Sequence, residues 1–227
     1  MKSQRSPTLR MRVRGPLACF TRPELKVERV SYPVITPSAA RGILEAVLWR
    51  RAIRWHVDRI RVLSEIRFTA FRRNEVSRKA VAPPNDVVES GGPAPLYFAD
   101  EDRAQRNTVA LRDVDYVIEA HFSMTERAGP EDNVNKFVEM FKRRLAKGQH
   151  FHQPYLGCRE FAAEVMPADD APAPIAETRD LGLMLWGIEY GPKRNRPIFF
   201  HARLEGGVLE VPTDANAALV LAGGASS

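Results

Sequence analysis

The sequence predicts an α+β protein, and three observations carry that reading. Short runs that alternate apolar and polar residues, the pattern of strands with one buried face, recur along the chain. Two segments, starting near Ser38 and Glu131, instead place apolar residues at helical spacing. Beyond Leu181, three consecutive strand-like runs are separated by glycine-containing turns, which implies an antiparallel meander.

In chain order, Thr8 to Val13 alternate and form a first strand, which Gly15-Pro16 is expected to break into a long basic loop. A helix follows. Ser38 is read as its N-cap, and Ala39, Ala40, Ile43, Leu44 and Val47 form its apolar stripe, with Arg41 and Leu48 together at the border. Two strands are expected between Trp55 and Arg72. Residues 81–106 hold Pro83-Pro84, Gly91-Gly92-Pro93 and Pro95, a composition that predicts a mobile loop. Strand character returns from Thr108 to Met124, with a turn expected at Arg112-Asp113.

The second helix is expected over Glu131 to Lys147. Val134, Phe137, Val138, Phe141 and Leu145 share one face, Lys136, Arg143 and Lys147 the opposite one, and Gly148 is the C′ residue that ends it. A further strand is expected near Ala162 to Val165, a linker over Pro167 to Pro174, then strands over Leu181 to Tyr190, Pro197 to Leu204 and Val208 to Val211. The order β, α, β, β, α, β with an added meander is the ferredoxin-like split βαβ pattern, RRM-like in class, with an appended C-terminal three-stranded antiparallel sheet. We therefore expect a main domain over residues 1–166, and a linker with its sheet over 167–227. No aromatic RNP motif is present, so base stacking on the sheet face is not expected.

Lys and Arg number 34 against 28 Asp and Glu, a net charge of +6, and roughly half of the basic residues precede residue 80. This balance favours a polyanionic partner. Two cysteines without CxxC spacing predict neither a disulfide framework nor a zinc site. The polar start of the chain, and the lack of any run near the roughly 20 apolar residues of a membrane span, predict a soluble, cytoplasmic protein with no membrane partner. No metal or other cofactor is expected.

Several segments in preserved order carry a resemblance: Phe20 to Glu24, Lys26 to Tyr32, Ser38 to Ala46, Asn135-Lys136, Pro154 to Phe161 and Leu181 to Leu185. Together they resemble the CRISPR-associated type I-C subunit, the Cas-five-d family of the RAMP superfamily, over almost the whole chain. The resemblance implies an endoribonuclease that cuts the CRISPR repeat transcript at its hairpin without metal. It also implies retention on the 5′ end of the mature guide RNA, beside the backbone and large subunits of the surveillance complex. The implied chemistry is attack of a ribose 2′-OH on the adjacent phosphate, giving a 2′,3′-cyclic phosphate and a 5′-OH.

That reaction needs a proton acceptor, a cation for the developing phosphorane charge and a donor to the leaving oxygen. The family supplies these from a Tyr on the first helix and a Lys-His pair on the second. Here Leu48 stands at the Tyr position and Phe137 at the His position, so Lys136 alone remains, with Arg41 as a possible assistant. His150, His152 and Tyr155 follow the second helix, where a loop folding back over Lys136 would bring proton-transfer groups to it. Arg22, Lys26, Arg29 and Arg41 around the early loop, with Arg143 and Lys147, are the expected RNA contacts, and the early-loop arginines are expected to converge on one cleft with Lys136. Trp49, Trp55 and Trp186 are expected in the core, and His56, His121 and His201 are given no role. The competing reading is a guide-RNA-binding assembly subunit that cuts poorly or not at all; a third is sequence-independent binding of duplex DNA.

Overall fold

The computed structural model describes residues 5–25, 27–78, 81–93, 96–191 and 195–218. Its centre is one long strand, β5 (Arg103–Met124), against which most of the fold is assembled. β1 (Leu9–Ala18) and β3 (Ile53–Val62) pair antiparallel with the second half of β5 on its two sides. β4 (Phe68–Val76) pairs with its first half, and the two-residue β2 (Arg29–Val30) adds a parallel contact. The main strand order is β6-β1-β5-β3-β9-β8-β7, where β6 is Glu164–Pro167, β7 Arg179–Glu189, β8 Arg196–Glu205 and β9 Val208–Glu210. The meander β7-β8-β9 thus continues the same sheet through the β9–β3 pairing. Glu205 and Val208 pair across Gly206 and Gly207, whose positive φ angles of 53° and 74° are those of a two-residue hairpin turn.

Alternation places Leu9, Met11, Val13, Trp55, Val57 and Ile60 in the core. Two helices are anchored there. α1 (Pro37–Val47) buries Ala40, Ile43, Leu44, Ala46 and Val47. Its N-cap is Thr36, whose hydroxyl accepts from the Ala39 N–H, while Ser38 is already inside the helix and bonds Thr36. Pro37 explains the difference: it occupies the first helical position, where its missing N–H costs nothing. A short helix, α2 (Asn85–Ser90), has no buried residue. α3 (Val134–Ala146) is capped by Asn133 and buries Phe137, Val138, Phe141 and Leu145, each contributing about 1.5–3 kcal/mol of transfer free energy. Trp55 lies between Phe122 and Phe141 at centroid distances of 5.3 and 5.0 Å, joining α3 to the sheet.

Three expectations are corrected. Gly15-Pro16 does not break β1: the ladder skips Pro16 and resumes at Leu17, and Asp113, the residue that falls opposite Pro16, has the positive φ of 52°. The same irregularity replaces the turn expected at Arg112-Asp113, so β5 runs through it as one strand. Residues 81–106 are not all loop, because α2 and the start of β5 lie within them. No helix among the described residues is long and apolar enough to cross a membrane.

The opposite face of the sheet carries many of the early arginines, paired with carboxylates. Arg12 binds Asp115 at 2.6 Å, and Arg10, Arg59 and Arg61 surround the buried Glu119. Much of the positive charge before residue 80 is therefore neutralised within the fold.

Candidate active site and nucleic-acid interface

The sequence places a turn between α1 and β3, and the packing forces that turn outward. Leu48 ends α1 fully buried, the Trp55 indole N–H donates to its carbonyl at 2.8 Å, and Arg144 donates to the Val47 carbonyl at 2.9 Å. These bonds satisfy the helix end that would otherwise leave carbonyls unpaired. With Leu48 pinned inside, Trp49 points out and is 55% exposed. It is the correction to the expected core tryptophans; Trp55 is buried and Trp186 partly buried.

Trp49 opens a cleft of about 370 Å³ lined also by Arg50, Arg51, Ala52, Arg127, Asp132, Lys136, Phe137 and Met140. Thr125 fixes its floor, accepting no slack: its hydroxyl donates to the Arg51 carbonyl at 2.6 Å and its N–H to that of Ala52 at 2.8 Å. Lys136 is 43% exposed on its side chain and donates to Asp132 Oδ1 at 3.0 Å and to the Glu131 carbonyl at 3.4 Å. Its ammonium also lies 5.8 Å from the centre of the Phe137 ring. The Asp132 carboxyl is held below the usual range, first by the hydrogen bond from Lys136 and then by that from the Gly129 N–H. Arg50, Arg51 and Arg127 make no ion pair among the described residues. Four cations thus face one carboxylate beside an exposed indole, a composition suited to a phosphate and a stacked base.

Leu48 and Phe137 are 0% and 2% exposed. Both positions belong to the core, and neither side chain carries a titratable group.

His150, His152 and Tyr155 do not fold back over Lys136. Lys136 lies in the first turn of α3, and about 16 Å of helix separate it from Lys147 at the other end. From there the chain doubles back along α1, held by the Phe151 N–H donating to the Ala46 carbonyl at 2.8 Å. His152 and Tyr155 line a separate 320 Å³ recess with Thr36, Ser38, Gly42 and Leu185. His150 is exposed on the connecting loop. Arg143 and Lys147 are exposed on α3, and with Lys136 at spacings of seven and four residues they form a basic stripe leading away from the cleft.

The early arginines do not converge on Lys136 either. Arg22 lies over the Tyr32 ring at 4.8 Å, near Glu24 at 3.7 Å. Arg29 is engaged by Glu75 at 2.9 Å and Glu160 at 3.5 Å. Arg41 faces Glu45 at 3.9 Å in a third cleft, of 630 Å³, shared with Arg54, His56, Trp186 and Tyr190. Lys26 lies outside the described residues. The expectation of a single cleft fails because β2 and the α1 N-terminus hold these arginines at other places in the fold. What the sequence reading missed is Trp49, Arg50, Arg51 and Arg127. The first three stand just past the apolar stripe of α1, a signal available in the sequence; Arg127 joins them only through tertiary structure.

His56 lines the third cleft, stacked on His121 with ring centres 4.8 Å apart and bonded to Ser123 Oγ at 2.9 Å. Burial above all, then His121 and the nearby arginines, lowers its pKa to about 4. His121 in turn bonds Asp58 at 2.8 Å. No group of three or more metal-ligating side chains occurs among the described residues.

Comparison with known proteins places this geometry in a family. A family model described as CRISPR-associated protein (Cas_Cas5), of the Cas5d type, matches residues 8–212. The CRISPR pre-crRNA endoribonuclease Cas5d of Mannheimia succiniciproducens is 49% identical over 213 residues, covering 90% of this chain and 94% of that protein. The protein of the same name from Thermus thermophilus is 41% identical over 224 residues, covering 91% and 92%. A crystal structure of a CRISPR-associated protein has the same fold, with a TM-score of 0.67 at 22% identity over 92% of this chain and 94% of that one. The cleft around Lys136 therefore sits in a chain that belongs to the Cas5d family of CRISPR-associated proteins.

Proposed function

We propose that this chain is a pre-crRNA endoribonuclease that cuts the CRISPR repeat RNA by 2′-OH attack and then stays on the 5′ end of the guide within a type I-C surveillance complex. The reading draws on the two curated relatives and rests on one observation: Lys136, the residue matching the family's cation, lines a cleft with an exposed indole and three arginines that make no ion pair among the described residues. Arg50, Arg51 and Arg127 grip the scissile phosphate and its neighbour, Lys136 stabilises the phosphorane charge, and Trp49 stacks on a flanking base. The proton acceptor within the cleft is the Asp132 carboxylate, a weak base because Lys136 holds it ionised, so the reaction is metal-independent and slow. His150, His152 and Tyr155 are then assigned, with Arg143 and Lys147, to RNA contact outside the cleft.

The same chain suits the finer fold reading. The order β6-β1-β5-β3, antiparallel throughout, with α1 between β1 and β3 and α3 between β5 and β6, corresponds to a ferredoxin-like split βαβ unit. We assign that unit to residues 1–166 and the linker with the meander to 167–227.

A second reading is favoured by the burial of Leu48 and Phe137: a subunit that binds guide RNA and assembles the complex without cutting. Incubating the protein with labelled repeat RNA, with and without EDTA and beside Lys136→Ala, decides between them. Cleavage that survives EDTA and falls at least ~100-fold in the variant supports the nuclease. Tight binding with intact RNA in both proteins supports the assembly subunit, and equal competition by duplex DNA removes specific recognition of the hairpin.

A further inference from the structure

Cys19 and Cys158 are the two cysteines of the chain, 139 residues apart, and folding brings them together. The Cys19 N–H donates to the Leu156 carbonyl at 3.0 Å. Gly157 then passes so close that a Cβ on it would stand 2.0 Å from the Cys19 carbonyl oxygen, and its φ of +84° suits glycine. That crossing sets the next side chain against β1's end: Cys158 Sγ lies 3.7 Å from the Cys19 carbonyl oxygen. Thr21 Oγ1 is 3.6 Å from Cys19 Sγ, and Arg29 Nη1 is 3.7 Å from Cys158 Sγ. Arg29 and Arg73 are both held beside the pair by Glu160. Cys19 is fully buried, while Cys158 retains access to solvent.

Each thiol acts on the other, lowering the proton affinity of Cys19 and raising that of Cys158; Thr21, Arg29 and Arg73 add to the lowering. The pair therefore gives up one proton more readily than an isolated thiol and holds the second more firmly. Neither sulfur has a part in the RNA cleft around Lys136.

We propose that Cys19 and Cys158 are an oxidation site that closes reversibly into an intramolecular disulfide when the protein meets hydrogen peroxide. The accessible Cys158 sulfur attacks one peroxide oxygen as its proton passes to the neighbouring Cys19 thiolate, breaking the O–O bond, forming a sulfenic acid and releasing hydroxide, which takes up a proton to become water. Cys19 sulfur then displaces the sulfenic oxygen, its own proton leaving with that oxygen as a second water, and the S–S bond forms. Two electrons leave the sulfurs and reduce one peroxide to two waters. The bond ties the Pro154–Phe161 loop to the end of β1, cross-linking two segments 139 residues apart in the chain.

The test uses the full-length protein, treated with hydrogen peroxide, alkylated, and measured by intact mass and peptide mapping without reductant. The expected result is loss of two hydrogen atoms in mass and simultaneous loss of both free thiols. A peptide pair joining residues 19 and 158 should appear, and dithiothreitol should restore the thiols. Thermal unfolding of the oxidised protein should shift up by about 10 °C. Cys158→Ser should leave Cys19 alkylatable on unfolding after the same treatment. Thiols that survive peroxide, addition of oxygen atoms without a cross-link, or a cross-link between two molecules would each overturn the proposal.

Discussion

Lys136 Nζ lies 3.0 Å from Asp132 Oδ1, so the one lysine of the Trp49 cleft is tethered to its one carboxylate. Asp132 also accepts from the Gly129 N–H through its other oxygen at 3.1 Å, an acceptor that asparagine preserves. Asp132→Asn should therefore fold normally and raise the cleft's positive charge. Repeat RNA should bind about threefold to tenfold tighter at low salt, an advantage that shrinks as salt is raised. Cleavage should nevertheless slow at saturating RNA, because the proton acceptor is gone. Filter binding and single-turnover kinetics on one preparation measure both; faster cleavage would assign Asp132 a purely restraining role.

Trp49 is held out of the core by the buried Leu48 beside it. Trp49→Ala should leave thermal stability nearly unchanged while weakening RNA binding by about tenfold, the scale of one lost base–aromatic stack. Trp49→Phe should recover most of the affinity. Indole fluorescence quenching on RNA addition, absent in Trp49→Ala, reports the contact directly.

Restoring the family's proton-transfer side chains one at a time meets the core. Phe137 packs edge-on against Phe122 at 6.3 Å, and Phe137→His should cost about 2–4 kcal/mol, read from urea midpoints. Leu48→Tyr adds volume and a hydroxyl at a fully buried site and should cost about 1–3 kcal/mol. Neither single change should increase the cleavage rate.

His56 gives the fold a pH dependence. Its folded pKa of about 4 lies below the ordinary histidine value, so the unfolded chain binds this proton first. The stability this group contributes is complete above about pH 6.5 and is lost progressively as pH drops from there towards 4. The groups acting on the ring are His121, Arg54, Asp58 and Arg41, all unchanged in His56→Gln. That variant should show a flatter melting-temperature profile between pH 7 and 5 than the parent protein.

Much of the architecture could be read from residue patterns. β1, β3, the meander and α3 each bury one face, and burial imposes a period that the sequence displays. The first residues of β5, from Arg103, are exposed or half-buried, so little apolar period marks them, and the prolines and glycines before them suggested a loop instead. The start of α1 was displaced by two residues because Thr36 and Ser38 flank Pro37 and both are capping types. For the site, Lys136 stood out on the polar face of α3, and the family resemblance supplied its role. Its neighbours did not, since Arg127 reaches the cleft from a loop after β5 and Trp49 looks apolar until Leu48 is seen to take the buried place. Charge counting misled for a related reason: Arg29 and the sheet-face arginines already have carboxylate partners.

Leu9 pairs with Ala120 and Ala18 with Leu111, so β1 finds no partner strand until about a hundred further residues have been made. At ordinary translation speeds the emerging segment waits on the order of ten seconds with its edge open. Synthesis rate and chaperone supply, more than final stability, should therefore govern how much of this protein is recovered in native form from a cell.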